Sequence, residues 1–573
     1  MSRTTKDATD QTPTGPDTFD DGAANRLTRR AFNVSAAALG AGAAIAGIAS
    51  AGAAPVSRGR QLLSRAQEDP AALVIGMDGS PSDLDPHSAY DYRSVLANNG
   101  TYEGLIGLKD DRTDEFEGLI AESWATNEDQ SVWTFTLREG VTFQDGSSCD
   151  SAAVLANYER LFTLGLGAVG VLTRFITDWK TQITAPDAKT IVFDCGRPQP
   201  LLGTALASQY AMPIVNAAKM KEHEVDGDWG HVWAQTNAEG TGTGPYKIVN
   251  FEPGTILEME RNETYWGGWE GTHFERIVLR PVTEVATRRQ LLEQGEVDIV
   301  DSLTAEDVAA LRANPDIVVL SNTSTQVIYF TMTVSGPLAS PEARQAMCYA
   351  FPYQEVIEGV YKDTATYARG AVAEAIRGFD PNTFQYTTDI AKAKELFAAA
   401  GVAEGTELTV TFETGIANTT TSAQLFQASL AECGITLTID QVDLPTFTSL
   451  FYGDAPVEER PNLFWWGWWP DYNDAWNHLY PQVSSEAWGS KGANAGFYSN
   501  ARVDELLAVA RDAPDDETYL TAISEIQQIV SRDDPPSVYY AQPKWTTLYR
   551  KDLQGVVFNP INIGVYNFWK MHR

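Results

Sequence analysis

Apolar and polar positions along this chain follow two rhythms. Trp133-Thr134-Phe135-Thr136-Leu137-Arg138 changes character at every residue, the period-two pattern of a strand with one face buried. Leu408-Thr409-Val410-Thr411-Phe412 and Ile435-Thr436-Leu437-Thr438-Ile439 repeat it, and Thr190 to Asp194 is a further strand. Ala71-Ala72-Leu73-Val74-Ile75-Gly76-Met77 is a short unbroken apolar run, which predicts a fully buried strand. Other stretches keep helical spacing. From Ser151 to Leu161, the residues Val154, Leu155, Tyr158 and Leu161 share one face. Asp389 to Ala400 and Ser422 to Cys433 are predicted helices closed by Gly401 and Gly434, because glycine accepts the left-handed conformation that ends a helix. Ser94 to Leu105 predicts another, ending near Gly104. Ser340-Pro341 opens one more, with serine as cap and proline at the first helical position. Helix and strand alternating in this way predict an α/β chain with sheets at its centre. No self-similar repeat appears.

Two stretches break these rhythms. Gly240-Thr241-Gly242-Thr243-Gly244-Pro245 invites comparison with a phosphate-cradling loop, which joins a strand to a helix N-terminus. Here the glycines lead into Tyr246-Lys247-Ile248-Val249, which has strand character, so a plain connection is expected. The second stretch is Phe464-Trp465-Trp466-Gly467-Trp468-Trp469-Pro470-Asp471-Tyr472-Asn473-Asp474, which gathers four of the 15 tryptophans. As a strand it points Trp466 and Trp468 to one face and Trp465 to the other. Pro470 ends the pairing, and Asp471 falls at the strand's end, where open α/β sheets bind ligands. A carboxylate among aromatic faces suits a cationic group. The candidate ligand-binding residues are therefore Asp471, Trp466, Trp468, Trp469 and Tyr472, with Asp474 as the alternative to Asp471. The plainer reading is a tryptophan core and two aspartates capping a turn.

Composition narrows the function. At 573 residues the chain exceeds one core of about 100–200 residues, so several lobes are expected. A net charge of −34 without any cluster of Lys and Arg excludes a nucleic-acid partner. Arg26-Leu27-Thr28-Arg29-Arg30-Ala31-Phe32 precedes an Ala/Gly-rich apolar stretch ending in small residues near Ala54. Positive start, apolar middle and small end make a secretory signal. The pair Arg29-Arg30 followed by Phe32 resembles the twin-arginine type. The stretch is too weakly apolar for a membrane anchor. Residues 1–53 are thus read as signal, with the mature start at Ala54, and 54–70 as linker. Cys149, Cys195, Cys348 and Cys433 form no CxxC pair, which leaves any disulfide open. Lys221-Glu222-His223-Glu224 with His231 reads as a solvated helix end, not a metal site. No GxSxG, HExxH or GxGxxG is present, so neither an enzyme nor a cofactor is expected. A hydrolase with a carboxylate pair, hidden among 76 acidic residues, is the alternative of another class.

Leu84-Asp85-Pro86, Tyr102-Glu103-Gly104-Leu105, Ala121-Glu122-Ser123-Trp124 and Trp133 to Gly146 follow one another in an order that resembles a known family. So do Gly242-Thr243-Gly244-Pro245-Tyr246, Arg261-Asn262 with Tyr265-Trp266-Gly267-Gly268, Arg344-Gln345-Ala346-Met347, and Tyr498-Ser499-Asn500 with Val503-Asp504-Glu505-Leu506-Leu507. The chain resembles the extracellular solute-binding proteins of ABC transporters, family 5, the oligopeptide/dipeptide/nickel type. It departs from them at Pro352, where the family often has Asp, and at Cys149. The resemblance implies a periplasmic binding protein-like clamshell: two α/β lobes joined by hinge strands, plus an additional lobe. Lobe one would comprise 71–113, 242–322 and 535–573, the extra lobe 114–241, and lobe three 323–534. The implied function is capture of a small solute, a peptide first, between two lobes outside the cytoplasm. The implied partner is an ABC permease, and the implied state is a monomer in the periplasm or on the outer face of the membrane. In peptide-binding relatives the aspartate matching Asp471 holds the peptide's amino group. Some of them carry an arginine for the peptide carboxylate where this chain has Trp465. Tryptophan-rich clefts also suit sugars, so an oligosaccharide is the alternative solute.

Overall fold

The fold is organised by Ser537–Arg550, a 14-residue strand in a computed structural model that describes residues 71–210 and 212–573. The segments 1–53 and 54–70, with Arg29 and Arg30, lie outside the described residues. The first part of the long strand pairs with Val327–Met332, and its last part with Ile317–Thr323 and Ile299–Val300, all antiparallel. It thereby links two sheet halves into one connected sheet of twelve strands. In the first half, Ala72–Met77 runs parallel to Arg276–Pro281 and to Ile299–Val300. In the second, Leu463–Trp468 lies antiparallel to Val327–Met332 and parallel to Glu407–Glu413, which pairs parallel with Thr436–Val442.

The unbroken apolar run at Ala72–Met77 has the reason its sequence suggests. Every residue of the strand is buried. Leu73, Ile75 and Met77 feed one core, and Val74 feeds another on the opposite face. A parallel strand covered on both sides needs such a run.

A separate four-stranded antiparallel sheet orders Ala121–Thr126, Val132–Leu137, Thr190–Asp194 and Ile183–Asp187. The alternation at Trp133, Phe135 and Leu137 points these three inward. Phe135 and Tyr158 both meet Phe193 edge to face, with ring centroids 5.7 and 5.3 Å apart. Tyr158 belongs to the helix Ser151–Leu164, capped by Asp150 and closed by Gly165 in the left-handed conformation.

Two expectations shift. The helix expected from Ser94 to Leu105 spans Tyr92–Asn99, capped by Asp91. It stops because the Gly100 and Thr101 carbonyls accept from Tyr246 N at 2.8 Å and Gly244 N at 2.9 Å. The glycine loop 240–244 serves that approach: a Cβ on Gly242 would stand 1.9 Å from the Thr101 carbonyl oxygen. The helix expected from Ser422 begins earlier, as Ala417–Glu432. All four cysteines are free thiols. Among the described residues no helix is long and apolar enough to cross a membrane.

Candidate functional site

The tryptophan strand alternates as its sequence predicts. Trp465 turns toward the core around Phe330 and Tyr540, and its Nε1 donates to the Tyr540 hydroxyl at 2.9 Å. Trp466 and Trp468 turn to the opposite face. Trp466 stacks on Phe447 at 5.6 Å and lies 4.8 Å from Phe451. Trp468 Nε1 donates to the Asn477 carbonyl at 3.1 Å. Trp469 is half-buried beside Tyr210.

Asp471 follows Pro470 just past the strand end, half-buried. Its backbone amide donates to Asn477 Oδ1 at 2.7 Å, and Asn477 Nδ2 donates back to Asp471 Oδ2 at 3.0 Å. Ser208 Oγ donates to the Asp471 carbonyl at 2.7 Å. The second carboxylate oxygen, Oδ1, accepts from the Tyr90 hydroxyl. The Tyr90 ring leans on Tyr210 at 4.7 Å and is 46% exposed. The segments around Tyr90, Ser208 and Asn477 therefore meet at this one residue. Burial pushes the Asp471 carboxyl above its usual range, while hydrogen bonds from Tyr90 and Asn477 pull the other way. It has no ion-pair partner among the described residues. A charge in this position gains most from an incoming cation, through a charge-assisted hydrogen bond in partly dry surroundings.

Asp474 and Tyr472 lie elsewhere. Asp474 is fully buried. It accepts from the Tyr519 hydroxyl at 2.5 Å, from Trp476 N at 2.9 Å and from Arg377 Nη1 at 3.0 Å, and Arg174 Nη1 stands at 3.6 Å. All of its acceptor capacity faces the protein, and it caps the helix Ala475–Val483. Tyr472 is 2% exposed, accepts from Arg174 Nη1 at 3.3 Å, and meets Phe175 edge on. The structure thus brings Trp469 and Asp471 together with Tyr90, Tyr210 and Asn477. It leaves Tyr472 and Asp474 in a buried ion-pair network.

The sequence reading missed Tyr90, Ser208, Tyr210 and Asn477. Only Tyr90 carried a signal: it lies five residues after Asp85, in the loop that follows a predicted buried strand. The carboxyl ends of the parallel strands hold further acids. Asp78, just past Met77, accepts from Arg93 Nε at 2.7 Å and from the Tyr92 hydroxyl. Asp301, just past Val300, accepts from Thr547 Oγ1 at 2.8 Å and the Tyr566 hydroxyl at 2.7 Å, and burial pushes its carboxyl up to about 6. Tyr329 and Trp466 are directly paired across neighbouring strands. The Tyr329 hydroxyl and Trp466 Nε1 are both buried without a hydrogen bond among the described residues. A surface concavity of about 390 Å³ is lined by Glu404, Gln427 and Thr436. It sits at the opposite strand ends, away from Asp471.

No metal cluster assembles near His223. Its ring stacks on Trp233 at 4.0 Å, while His231 Nδ1 bonds Asp85 Oδ2 at 2.9 Å. Among the described residues no three His, Cys, Asp or Glu side chains are grouped to hold a metal ion.

Comparisons with known proteins bear on this geometry. The model of the bacterial extracellular solute-binding proteins, family 5, matches residues 115–490. The probable D,D-dipeptide-binding periplasmic protein DdpA of Escherichia coli K12 is 30% identical over 87% of this chain and 94% of its own length. The glutathione-binding protein GsiB of Salmonella typhi is 26% identical over 85% of this chain and 92% of its own. A dipeptide-binding protein from Pseudoalteromonas sp. SM9913, solved with Met-Leu, superposes with a TM-score of 0.74 at 20% identity, covering 88% of this chain and 100% of that one. The fold is the α/β clamshell of the periplasmic binding proteins.

Proposed function

The chain belongs to the bacterial extracellular solute-binding proteins of family 5, and on that premise we propose that it captures a short peptide outside the cytoplasm and delivers it to the permease of an ABC importer. The observation that carries the peptide reading is Asp471: a half-buried carboxylate at a strand end, without a cationic partner among the described residues, held by Asn477 and touched by Tyr90. A peptide's ammonium group supplies the missing charge. Relatives named for dipeptide and glutathione binding support the same chemistry. The tryptophans speak less for a sugar than their number suggests. Trp465 is bonded behind the sheet, and Trp466 already stacks on Phe447.

In this reading 71–113, 242–322 and 535–573 form one jaw and 323–534 the other, with 114–241 as the additional lobe. Closure draws its free energy from ligand contacts that the open form lacks. The protein works as a periplasmic monomer, exported by the twin-arginine route through Arg29 and Arg30. Replacing both arginines by lysine and fractionating the cells tests the route: retention in the cytoplasm is expected, and unchanged export refutes it. Thermal-shift titration against dipeptides, oligosaccharides and nickel–histidine tests the solute. Stabilisation by dipeptides that Asp471→Asn abolishes is the expected result. Stabilisation by sugar alone would replace the peptide reading.

A further inference from the structure

Arg93 has a cationic edge without a hydrogen-bond partner among the described residues. Its Nε donates to Asp78 Oδ1 at 2.7 Å, and the pair is partly exposed, at 32% and 20%. Neither Nη makes a hydrogen bond among the described residues. A guanidinium held through Nε keeps its end edge, one N–H from each Nη, and that edge matches a carboxylate with two parallel hydrogen bonds.

The surroundings fix this arrangement. Asp78 is itself held by the Tyr92 hydroxyl. The Arg93 guanidinium lies over the Tyr92 ring, 4.8 Å from its centroid. Asp91 accepts from the backbone amides of Arg93 and Ser94 at 3.0 and 3.1 Å, which caps the helix Tyr92–Asn99 and makes 90–93 a stiff turn. Gly79 leaves room for the side chain: a Cβ there would stand 2.8 Å from Arg93 Nε. Gly79 is not among the glycines with positive φ, so space for Arg93 is the reason the structure offers for it.

The location is the ligand edge. Tyr90, three residues before Arg93, reaches Asp471. Glu413, the last residue of Glu407–Glu413 on the other sheet half, is half-buried. Burial raises its carboxyl, and Arg93 is the charge that opposes the rise. No ion pair joins the two among the described residues. Arg93 therefore stands at the carboxyl ends of parallel strands in both halves, the edge where such sheets bind ligands.

We infer that Arg93 is the specificity residue for the ligand's carboxylate, and that Asp471 and Arg93 together select a short zwitterion by its two ends. This rests on the peptide reading above. The Cα atoms of Tyr90 and Arg93 are at most about 11 Å apart, while an extended peptide advances about 3.3–3.6 Å per residue. Tyr90, which touches Asp471, and Arg93 therefore lie within the reach of a peptide of a few residues. With Trp465 turned behind the sheet, the cation for the carboxylate comes from the opposite jaw.

The test uses the whole mature protein and two probes: a mixed dipeptide library and the same library amidated at its C-terminus. Melting curves and calorimetry are recorded for the wild type, Arg93→Gln and Arg93→Lys. The free acids are expected to bind the wild type about 10- to 100-fold more tightly than the amides, the range of one charge-assisted contact. Arg93→Gln loses that preference, and Arg93→Lys keeps part of it. If the wild type binds acids and amides equally, Arg93 has no such role and the peptide reading stands. If Arg93→Gln keeps the full preference, another residue holds the carboxylate. If neither library binds the wild type, the peptide reading itself fails. The comparison within the wild type needs no variant to fold.

Discussion

Replacing the two aspartates of the tryptophan segment separates binding from stability. Asp474 is enclosed, and Arg174 beside it is only 5% exposed. In Asp474→Asn the helix cap survives, because asparagine caps as well as aspartate. Arg377 keeps Asp516 at 2.8 Å. Arg174 does not fare as well: the Tyr472 hydroxyl, at 3.3 Å, is neutral. Leaving one member of a buried ion pair uncompensated costs about 3–5 kcal/mol. Asp474→Ala also loses the cap, a further ~0.5–2 kcal/mol. Asp471→Asn behaves differently. Burial already disfavours its charge, and the amide can still accept from Tyr90, so stability is expected to hold or rise slightly. Equilibrium urea unfolding at pH 7 reads all three. Asp474→Ala is expected to be least stable, Asp474→Asn next, and Asp471→Asn close to the wild type. An Asp474→Asn midpoint equal to that of the wild type, or an Asp471→Asn midpoint below both, would refute it.

Other outcomes follow from the same structure. Asp85 and Arg160 form a fully buried two-pronged pair at 2.9 and 2.6 Å, so Asp85→Asn is expected to lose about 3–5 kcal/mol by urea unfolding; adding Arg160→Met should recover part of it. Burial pushes the His478 imidazole down to about 3, while an unfolded histidine titrates near ~6.5. The unfolded chain therefore takes up this proton first on acidification, and stability falls between the two values by about 1.4 kcal/mol per pH unit. His478→Phe should flatten the measured pH dependence of stability by that slope, and an unchanged slope counts against a neutral buried imidazole. Gly242→Ala forces a Cβ onto the Thr101 carbonyl and is expected to cost at least ~1–3 kcal/mol, read as a lower urea midpoint.

Much of the fold was legible because local rules and packing agree. The apolar run at Ala72–Met77 reads as a strand covered on both faces, and it is one. The alternation at Trp465, Trp466 and Trp468 gave the right facing for each ring. The glycine loop read correctly as a connection, although its reason, contact with the Gly100 and Thr101 carbonyls, is a tertiary fact. The same contact shortened the helix at Asn99, which local spacing extended to Leu105. In the site, proximity decided what spacing could not. Asp471 and Asp474 look equivalent in sequence. They part because Asp474 opens a helix against Arg174 and Arg377, while Asp471 ends a strand beside Tyr90. The position of Asp474 ahead of Ala475–Val483 was the available signal, since aspartate caps helices. Tyr90 and Asn477 reach Asp471 from 381 and 6 residues away, and no periodicity in the chain predicts such a meeting.

On the reading proposed above, a ligand's ammonium group docks on Asp471. A crystal structure of the mature protein with a bound dipeptide tests it most directly. The expected result is the ammonium nitrogen within about 2.7–3.2 Å of an Asp471 carboxylate oxygen, with the Tyr90 hydroxyl beside it. A dipeptide whose ammonium is held elsewhere, with Asp471 still bonded only to Tyr90 and Asn477, would contradict it.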